Sequence, residues 1–159
     1  MPLGAALDPR GQREVMMVDM QPGQAPDGEI YDWYHRGLEL IQGGNAHAAA
    51  QILGHARAAA PESTSIREAL ARALFDARRY DEAEAAFREQ LTTKPDDDYA
   101  RFGLGLALSR RGEFAAAAEH LALAATMRPD RAPYVDALRQ VRATLRAREQ
   151  RDGAGPARG

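Results

Sequence analysis

Residues 98–129 read DYARFGLGLALSRRGEFAAAAEHLALAATMRP, and this stretch has the pattern of two helices joined by a turn. Acids at 96–98 precede the first helix, where carboxylates cap exposed backbone N–H groups and suit the helix dipole. Arg-Gly-Glu at 111–113 indicates the turn, because glycine accepts left-handed backbone conformations. Pro129 ends the second helix, since it lacks an N–H and disfavours helical geometry in the residue before it. The stretch predicts an antiparallel helical hairpin.

The same pattern occurs twice upstream with a period of 34 residues, marked by Pro61, Pro95 and Pro129. With each proline counted as position 32, the repeats are 30–63, 64–97 and 98–131. Such a period indicates a stack of identical helical units. Small residues recur at positions 8 and 20 and large apolar residues at position 24, namely Gly37, Ala71 and Gly105, then Ala49, Ala83 and Ala117, then Leu53, Phe87 and Leu121.

Helix packing explains why these residue types recur at these positions. Small residues at positions 8 and 20 let the two antiparallel helices approach closely, while large residues at positions 4, 7, 11 and 24 fill the seam between them. Four polar residues depart from the pattern at seam positions, and we expect imperfect packing there: Arg36, Arg67, Arg101 and Gln90.

The pattern from 30 to 129 resembles the tetratricopeptide repeat family, whose unit has a large residue at position 4, a small one at 8, Ala at 20, an aromatic or Leu at 24 and Pro at 32. The resemblance implies an all-α fold, a right-handed superhelical solenoid of three antiparallel helix hairpins. After the third repeat, residues 133–149 carry one apolar stripe at helical spacing, which predicts a terminal capping helix over the open apolar edge.

The domain is therefore expected to span residues 29–149. Residues 1–28 contain four prolines and several glycines without helical periodicity, which predicts a disordered N-terminal arm. Residues 150–159 are glycine-rich and are predicted to form a disordered tail. Ser65 with Glu68 fits a capping box at the start of the second repeat.

Composition excludes several function classes. The chain has no cysteine, hence no disulfide or thiolate chemistry, and its net charge of −2 gives no general attraction to nucleic acid. No run approaches the about 18 apolar residues that a membrane-spanning helix needs. We expect a cytoplasmic protein with no membrane insertion and no nucleic-acid partner. Arginine almost wholly replaces lysine, which suggests a GC-rich, bacterial genome.

Catalytic and cofactor motifs are missing from the sequence. The four histidines form neither a metal-binding helical pair nor a triad-like group. Gly103-Leu104-Gly105 is part of a dinucleotide fingerprint, but it lies inside a predicted helix with no preceding strand. The acids at 96–98 are accounted for by capping. We therefore predict no enzymatic activity, no cofactor and no metal site.

The resemblance also implies a binding surface. In this family, positions 2, 5, 9, 12 and 13 of each first helix point into a concave groove. An exposed aromatic surface is expected there, although a ring at helical spacing is more often core than contact. The predicted peptide-binding residues are Tyr31, Tyr34, Leu38, Arg72, Phe75, Tyr99, Phe102, Leu106 and Arg110.

Some family members hold a C-terminal carboxylate with Lys and Asn at fixed groove positions. Tyr34, Leu38, Ala69, Tyr99 and Gly103 occupy those positions here, so an EEVD-type tail is not the expected ligand. An extended or helical peptide with apolar anchors and an acidic group suits this groove better.

We therefore predict a noncatalytic scaffold or adaptor that binds a protein or peptide partner. Self-association as a structural or assembly module is the alternative, in which the N-terminal arm could also occupy its own groove through the apolar residues of 15–20. A second candidate surface is the arginine stripe of the last helix, formed by Arg139, Arg142 and Arg146. A solvated helix face accounts for that stripe equally well.

Overall fold

The computed structural model describes residues 28–155, and this part of the chain consists of α-helices joined by short turns. The predicted disorder of residues 1–27 and 156–159 lies outside the described residues. No helix within 28–155 is both long and apolar enough to cross a membrane. The helices are α1 (Glu29–Gln42), α2 (Ala46–Ala59), α3 (Thr64–Asp76), α4 (Tyr80–Thr93), α5 (Asp98–Arg110), α6 (Phe114–Met127) and α7 (Ala132–Gly153).

Each helix packs mainly against the helices before and after it in the chain. α1 with α2, α3 with α4 and α5 with α6 form the three hairpins, and α7 packs on α6. The predicted all-α helical repeat solenoid is confirmed. α7 is longer than expected: residues 150–153 are helical and not part of a tail. Residues 146–152 contain good helix formers and no proline, so nothing stops the helix before Gly153.

The three hairpin turns share one backbone conformation. Gly44, Arg78 and Gly112 lie 34 residues apart and have φ of 80°, 62° and 80°. The next residue donates its N–H to a carbonyl five residues earlier, at 2.8–2.9 Å, which closes the end of each first helix. The bonds are Asn45 to Leu40, Arg79 to Leu74 and Glu113 to Leu108.

Side chains at equivalent positions cap two of the first helices. The Ser63 hydroxyl accepts from the Ile66 N–H at 3.4 Å, and an Asp97 carboxylate oxygen accepts from the Ala100 N–H at 3.0 Å. Among the acids at 96–98, which were predicted to cap the helix, Asp97 provides the cap. The capping box predicted at Ser65 is wrong by two residues, because Ser65 already lies within α3 and is buried.

Close contacts at three glycines set how near the helices approach. A Cβ added to Gly37 would lie 2.5 Å from Leu53, and one added to Gly105 would lie 2.7 Å from Leu121, both within a hairpin. A Cβ added to Gly103 would lie 2.4 Å from the Phe87 ring, which belongs to the preceding repeat. The Gly103-Leu104-Gly105 stretch is therefore explained by packing.

The polar residues that depart from the repeat pattern lie in different environments. Arg101 donates to the Pro95 carbonyl at 2.9 Å and lies 3.4 Å from the His120 ring. Burial, followed by the charge of Arg101, lowers the pKa of His120. Gln90 is 4% exposed, and its side-chain amide has no hydrogen-bond partner in the described part of the chain. Arg36 instead points outward and pairs with Glu39.

We expect Gly103→Ala to lower the free energy of unfolding by about 1–3 kcal/mol, because the fully buried Phe87 ring cannot yield without repacking. Adding Phe87→Leu should recover most of the loss. The double variant then has Leu and Ala at these two positions, as the chain already has one repeat earlier at Leu53 and Ala69. Urea unfolding of both single variants and the double variant measures this coupling. If the losses of the two single variants simply add in the double variant, the contact between residues 87 and 103 is not the cause of the destabilisation.

We also expect Arg78→Gly to raise the free energy of unfolding by about 1 kcal/mol, because glycine adopts a left-handed conformation without the Cβ strain of an L-residue. Arg78→Ala is the matched control: it removes the same charge and keeps the strain, so it should not stabilise the protein. Thermal melts at one pH compare the variants. Equal effects of the two substitutions would point to charge and not to backbone strain.

Candidate functional site

The first helices of successive repeats lie closer together than the second helices do. α1 contacts α3, α3 contacts α5 and α5 contacts α7, whereas α2, α4 and α6 have at most marginal contacts with one another in the described structure. A stack whose one side is compressed curves toward that side. The groove, defined as the face formed by α1, α3, α5 and α7, is therefore concave.

Four of the predicted groove residues are core residues. Tyr34, Phe75, Tyr99 and Phe102 are exposed by 0%, 3%, 2% and 1%, so the expected exposed aromatic surface is wrong at these positions. They belong to the continuous hydrophobic core. Large planar rings fill the space where neighbouring first helices meet, and water is excluded from them.

The remaining five predicted residues are accessible. Tyr31, Leu38, Arg72 and Leu106 are half-buried, and Arg110 is exposed. The face available to a ligand is thus a mixed surface, with apolar side chains interrupted by two guanidinium groups. The sequence predicted which helices form the groove, and the structure shows which side chains remain at its surface.

Two open cavities lie at the turn end of this face, and Arg110 lines both. The first, of about 300 Å³, lies between the turns of repeats one and two and is lined by Ile41, Phe75 and Tyr80, among others. The second, of about 330 Å³, lies between repeat three and α7 and is lined by Leu106, Phe114 and Val141, among others. Arg110 therefore stands between two partly apolar recesses.

The sequence analysis did not assign Tyr80, Phe114 or Val141 to the groove. A signal for the first two existed: Ala46, Tyr80 and Phe114 all occupy position 17, the first residue of each second helix. An aromatic ring at the start of a second helix can reach past the short turn toward the groove. Val141 belongs to α7, which lies outside the repeat pattern.

Two neighbouring arginines differ in their electrostatic surroundings. Arg111 forms ion pairs with Asp81 at 2.8 Å and with Glu113 at 3.0 Å, and also pairs with Glu84. Arg110 lies over the Phe75 ring, with its guanidinium carbon 5.9 Å from the ring centroid. Within residues 28–155, no carboxylate forms an ion pair with Arg110. Its positive charge is therefore available at the groove surface.

The arginine stripe of α7 is partly used within the protein. Arg139 pairs with Asp136 at 3.5 Å, while Arg142 and Arg146 are exposed. Arg148, further along the helix, lies 4.4 Å over the Phe114 ring and thereby holds α7 against the start of α6. Arg142 and Arg146 are therefore the members of the stripe that remain exposed without an ion pair in the described part of the chain.

The described residues hold no group of three His, Cys, Asp or Glu side chains that could bind a metal ion.

The sequence matches two models of the tetratricopeptide repeat, over residues 40–90 and residues 69–132. Together they span more than half of the 159 residues. The chain belongs to the tetratricopeptide repeat family. This confirms the resemblance drawn from the 34-residue period. The sequence matches none of the curated proteins at a significant level.

Solved structures with low sequence identity share this repeat fold. The first repeat domain of Spaghetti (RPAP3), bound to the HSP90 peptide SRMEEVD, is 15% identical, with a TM-score of 0.68 over 76% of this chain and 96% of that chain. The Sgt2 repeat domain from Aspergillus fumigatus is 18% identical, with a TM-score of 0.70 over 85% and 89%. SycD, a type III secretion translocator chaperone of Yersinia enterocolitica, is 17% identical, with a TM-score of 0.63 over 80% and 96%.

A hydrogen bond joins α7 to α5 at the end of the groove. The buried Tyr134 ring stacks on Phe102 with centroids 4.5 Å apart, and its hydroxyl donates to an Asp98 carboxylate oxygen at 2.8 Å. Burial, reinforced by this bond, raises the pKa of the Tyr134 hydroxyl. The hydroxyl stays protonated and keeps α7 in register with α5.

We expect Tyr134→Phe to lower the free energy of unfolding by about 1–3 kcal/mol, because a hydrogen bond to a charged acceptor is lost while the ring is kept. Tyr80→Phe removes a hydroxyl that has no hydrogen bond within the described structure, and should change stability little. Chemical unfolding monitored by circular dichroism compares the two. A loss of equal size in both variants would show that the Asp98 bond is not the cause.

Proposed function

We propose that this protein is a noncatalytic interaction module, a scaffold or adaptor, whose groove binds a segment of a partner protein. One observation carries the proposal: Arg110, exposed and without an ion-pair partner in the described part of the chain, lies between two cavities of about 300 and 330 Å³ on the concave face. Partly apolar recesses on either side of an exposed guanidinium suit a peptide with apolar anchors and one acidic group.

The structural neighbours support an interaction role at this level. One of them is bound to an HSP90 peptide, and another is a translocator chaperone. The ligand chemistry proposed here is different from that of the HSP90 peptide. Tyr34 and Leu38 stand where the family's carboxylate-binding members have Lys and Asn, so a terminal carboxylate would find no clamp in repeat one.

In the proposed complex, apolar side chains of the partner enter the two cavities. An acidic side chain between them pairs with Arg110, which exchanges its contact with the Phe75 ring for a charge-assisted hydrogen bond. Leu38, Leu106 and Tyr31 extend the apolar contact along the groove, and Arg72 offers a second positive charge. Because the groove is preformed, binding costs little ordering entropy on this side.

One observation favours the alternative of self-association. Leu123 and Met127 are exposed by 49% and 37% and lie one turn apart on α6, where repeats one and two have smaller or more polar residues. Adjacent exposed apolar side chains are a feature of protein contact surfaces. In this alternative, two copies associate through the convex face and the groove remains open.

Affinity capture from lysate of the source organism tests the proposal, with a Leu106→Glu, Arg110→Glu variant against wild type. We expect the variant to capture at least about tenfold less of any groove partner, because both the apolar contact and the charge are reversed. The matched control is Leu123→Glu, Arg142→Glu, which makes the same changes on exposed residues that line neither cavity. Circular dichroism verifies that both variants are folded.

Capture of the same proteins by the groove variant and wild type would contradict the proposal. Loss of capture only in the control, together with a lower mass by sedimentation, would instead support association through the convex face. Wild type, the groove variant and the control variant are thus enough to distinguish the two functions.

A further inference from the structure

We propose that residues 14–20 of this chain, EVMMVDM, occupy its own groove and compete with the partner. This segment, called here the arm segment, lies outside the described residues. The inference rests on the proposed function of the groove and adds its regulation. Three observations support it: the chemistry of the segment, the position of the two cavities, and the length of chain that joins the segment to α1.

The chemistry of the arm segment complements the groove. It contains five apolar residues and two acids, Glu14 and Asp19, and no basic residue. The groove offers partly apolar recesses on both sides of Arg110, and Asp76 and Arg78 also line the first of them. Three of the five apolar residues are methionines, whose unbranched side chains adapt to irregular recesses better than branched ones do. Asp19, flanked by Val18 and Met20, supplies an acid between two apolar side chains, the arrangement that Arg110 and its two cavities require.

The connecting chain is long enough. α1 has 14 residues, so it is about 21 Å long at a rise of 1.5 Å per residue. The first cavity lies at the far end of α1, where Ile41 lines it. Residues 21–28 join the arm segment to α1, and eight extended residues span about 26 Å. The arm segment can therefore reach the cavity without any rearrangement of the helices.

Attachment favours the chain's own segment over a free peptide. A tethered segment acts at an effective concentration in the millimolar range when the linker spans the distance. A partner must then displace it, so the apparent affinity of the groove falls by the fraction of molecules whose groove is occupied. The helices need not move for this regulation, because only the occupant changes.

The absence of cysteine makes a direct test possible. Gln21→Cys creates a single thiol next to the arm segment, and a nitroxide attached there broadens NMR signals of nearby nuclei. In the full-length chain, we expect broadening of the Ile41 and Arg110 amide signals, at the ends of α1 and α5. A Val18→Asp, Met20→Asp substitution in the same labelled chain should abolish it, because the apolar contacts with Phe75, Tyr80 and Leu106 are lost and the added carboxylates would meet Asp76 in the first recess.

Broadening confined to the first turn of α1 would overturn the inference. A second sample separates the chain's own segment from that of another copy: isotope-labelled protein without nitroxide is mixed with unlabelled protein that carries it. Broadening in this mixture would mean that a neighbouring molecule supplies the segment, which also overturns the proposal as stated.

A peptide titration distinguishes failure of this inference from failure of the proposed function. A fluorescent synthetic peptide of residues 12–22 is titrated into full-length wild type, the Val18→Asp, Met20→Asp variant, and that variant with Arg110→Glu. We expect at least about tenfold tighter binding to the second protein than to the first, and loss of binding to the third. Equal, Arg110-dependent binding to the first two would retain the groove as a binding site and overturn its occupation by the arm segment.

Discussion

The contact of a glycine with a large side chain on the neighbouring helix is the constraint on which the rest of this structure depends. Gly37 meets Leu53, Gly103 meets Phe87, and Gly105 meets Leu121, each closer than a Cβ would allow. The first and third contacts hold a hairpin together, and the second joins two repeats. Because protein interiors do not leave such contacts loose, these distances fix where each helix pair lies relative to the next.

The curvature of the array decides the chemistry of the groove. Bringing the first helices together compresses their shared face, and four aromatic side chains are enclosed there, namely Tyr34, Phe75, Tyr99 and Phe102. Phe102 is closed off by Tyr134 of α7, and Phe75 by Tyr80 and by the guanidinium of Arg110. The rings that would give a ligand most of its binding energy stabilise the fold instead. In the proposed complex, the ligand is therefore recognised by the edges of the two recesses and by the charge between them.

The fold could be predicted from the sequence because its determinants are local and repeat three times. The prolines, the small residues at position 8 and the alanines at position 20 each have one physical role, and a period of 34 residues makes the roles visible. The site could be predicted only in part. The family resemblance implies that Phe102 faces the groove, but Phe102 is covered by Tyr134, which comes from a helix outside the repeats. The length of α7 depends on residues 150–153, whose composition resembled a flexible tail.

Arg110 and Arg111 are neighbours in sequence, yet their side chains make interactions of different strength. Arg111 pairs with acids of α4 and of its own turn, and so joins repeat two to repeat three. Arg110 rests on an aromatic face, and such contacts contribute only about 0.5–1 kcal/mol at exposed sites. A charge-assisted hydrogen bond to a ligand carboxylate is stronger, so a ligand can replace the ring contact at a net gain. A guanidinium that already pairs with several carboxylates, as Arg111 does, would gain little from a further carboxylate of a ligand. The weaker of the two neighbouring interactions is therefore the one that suits binding.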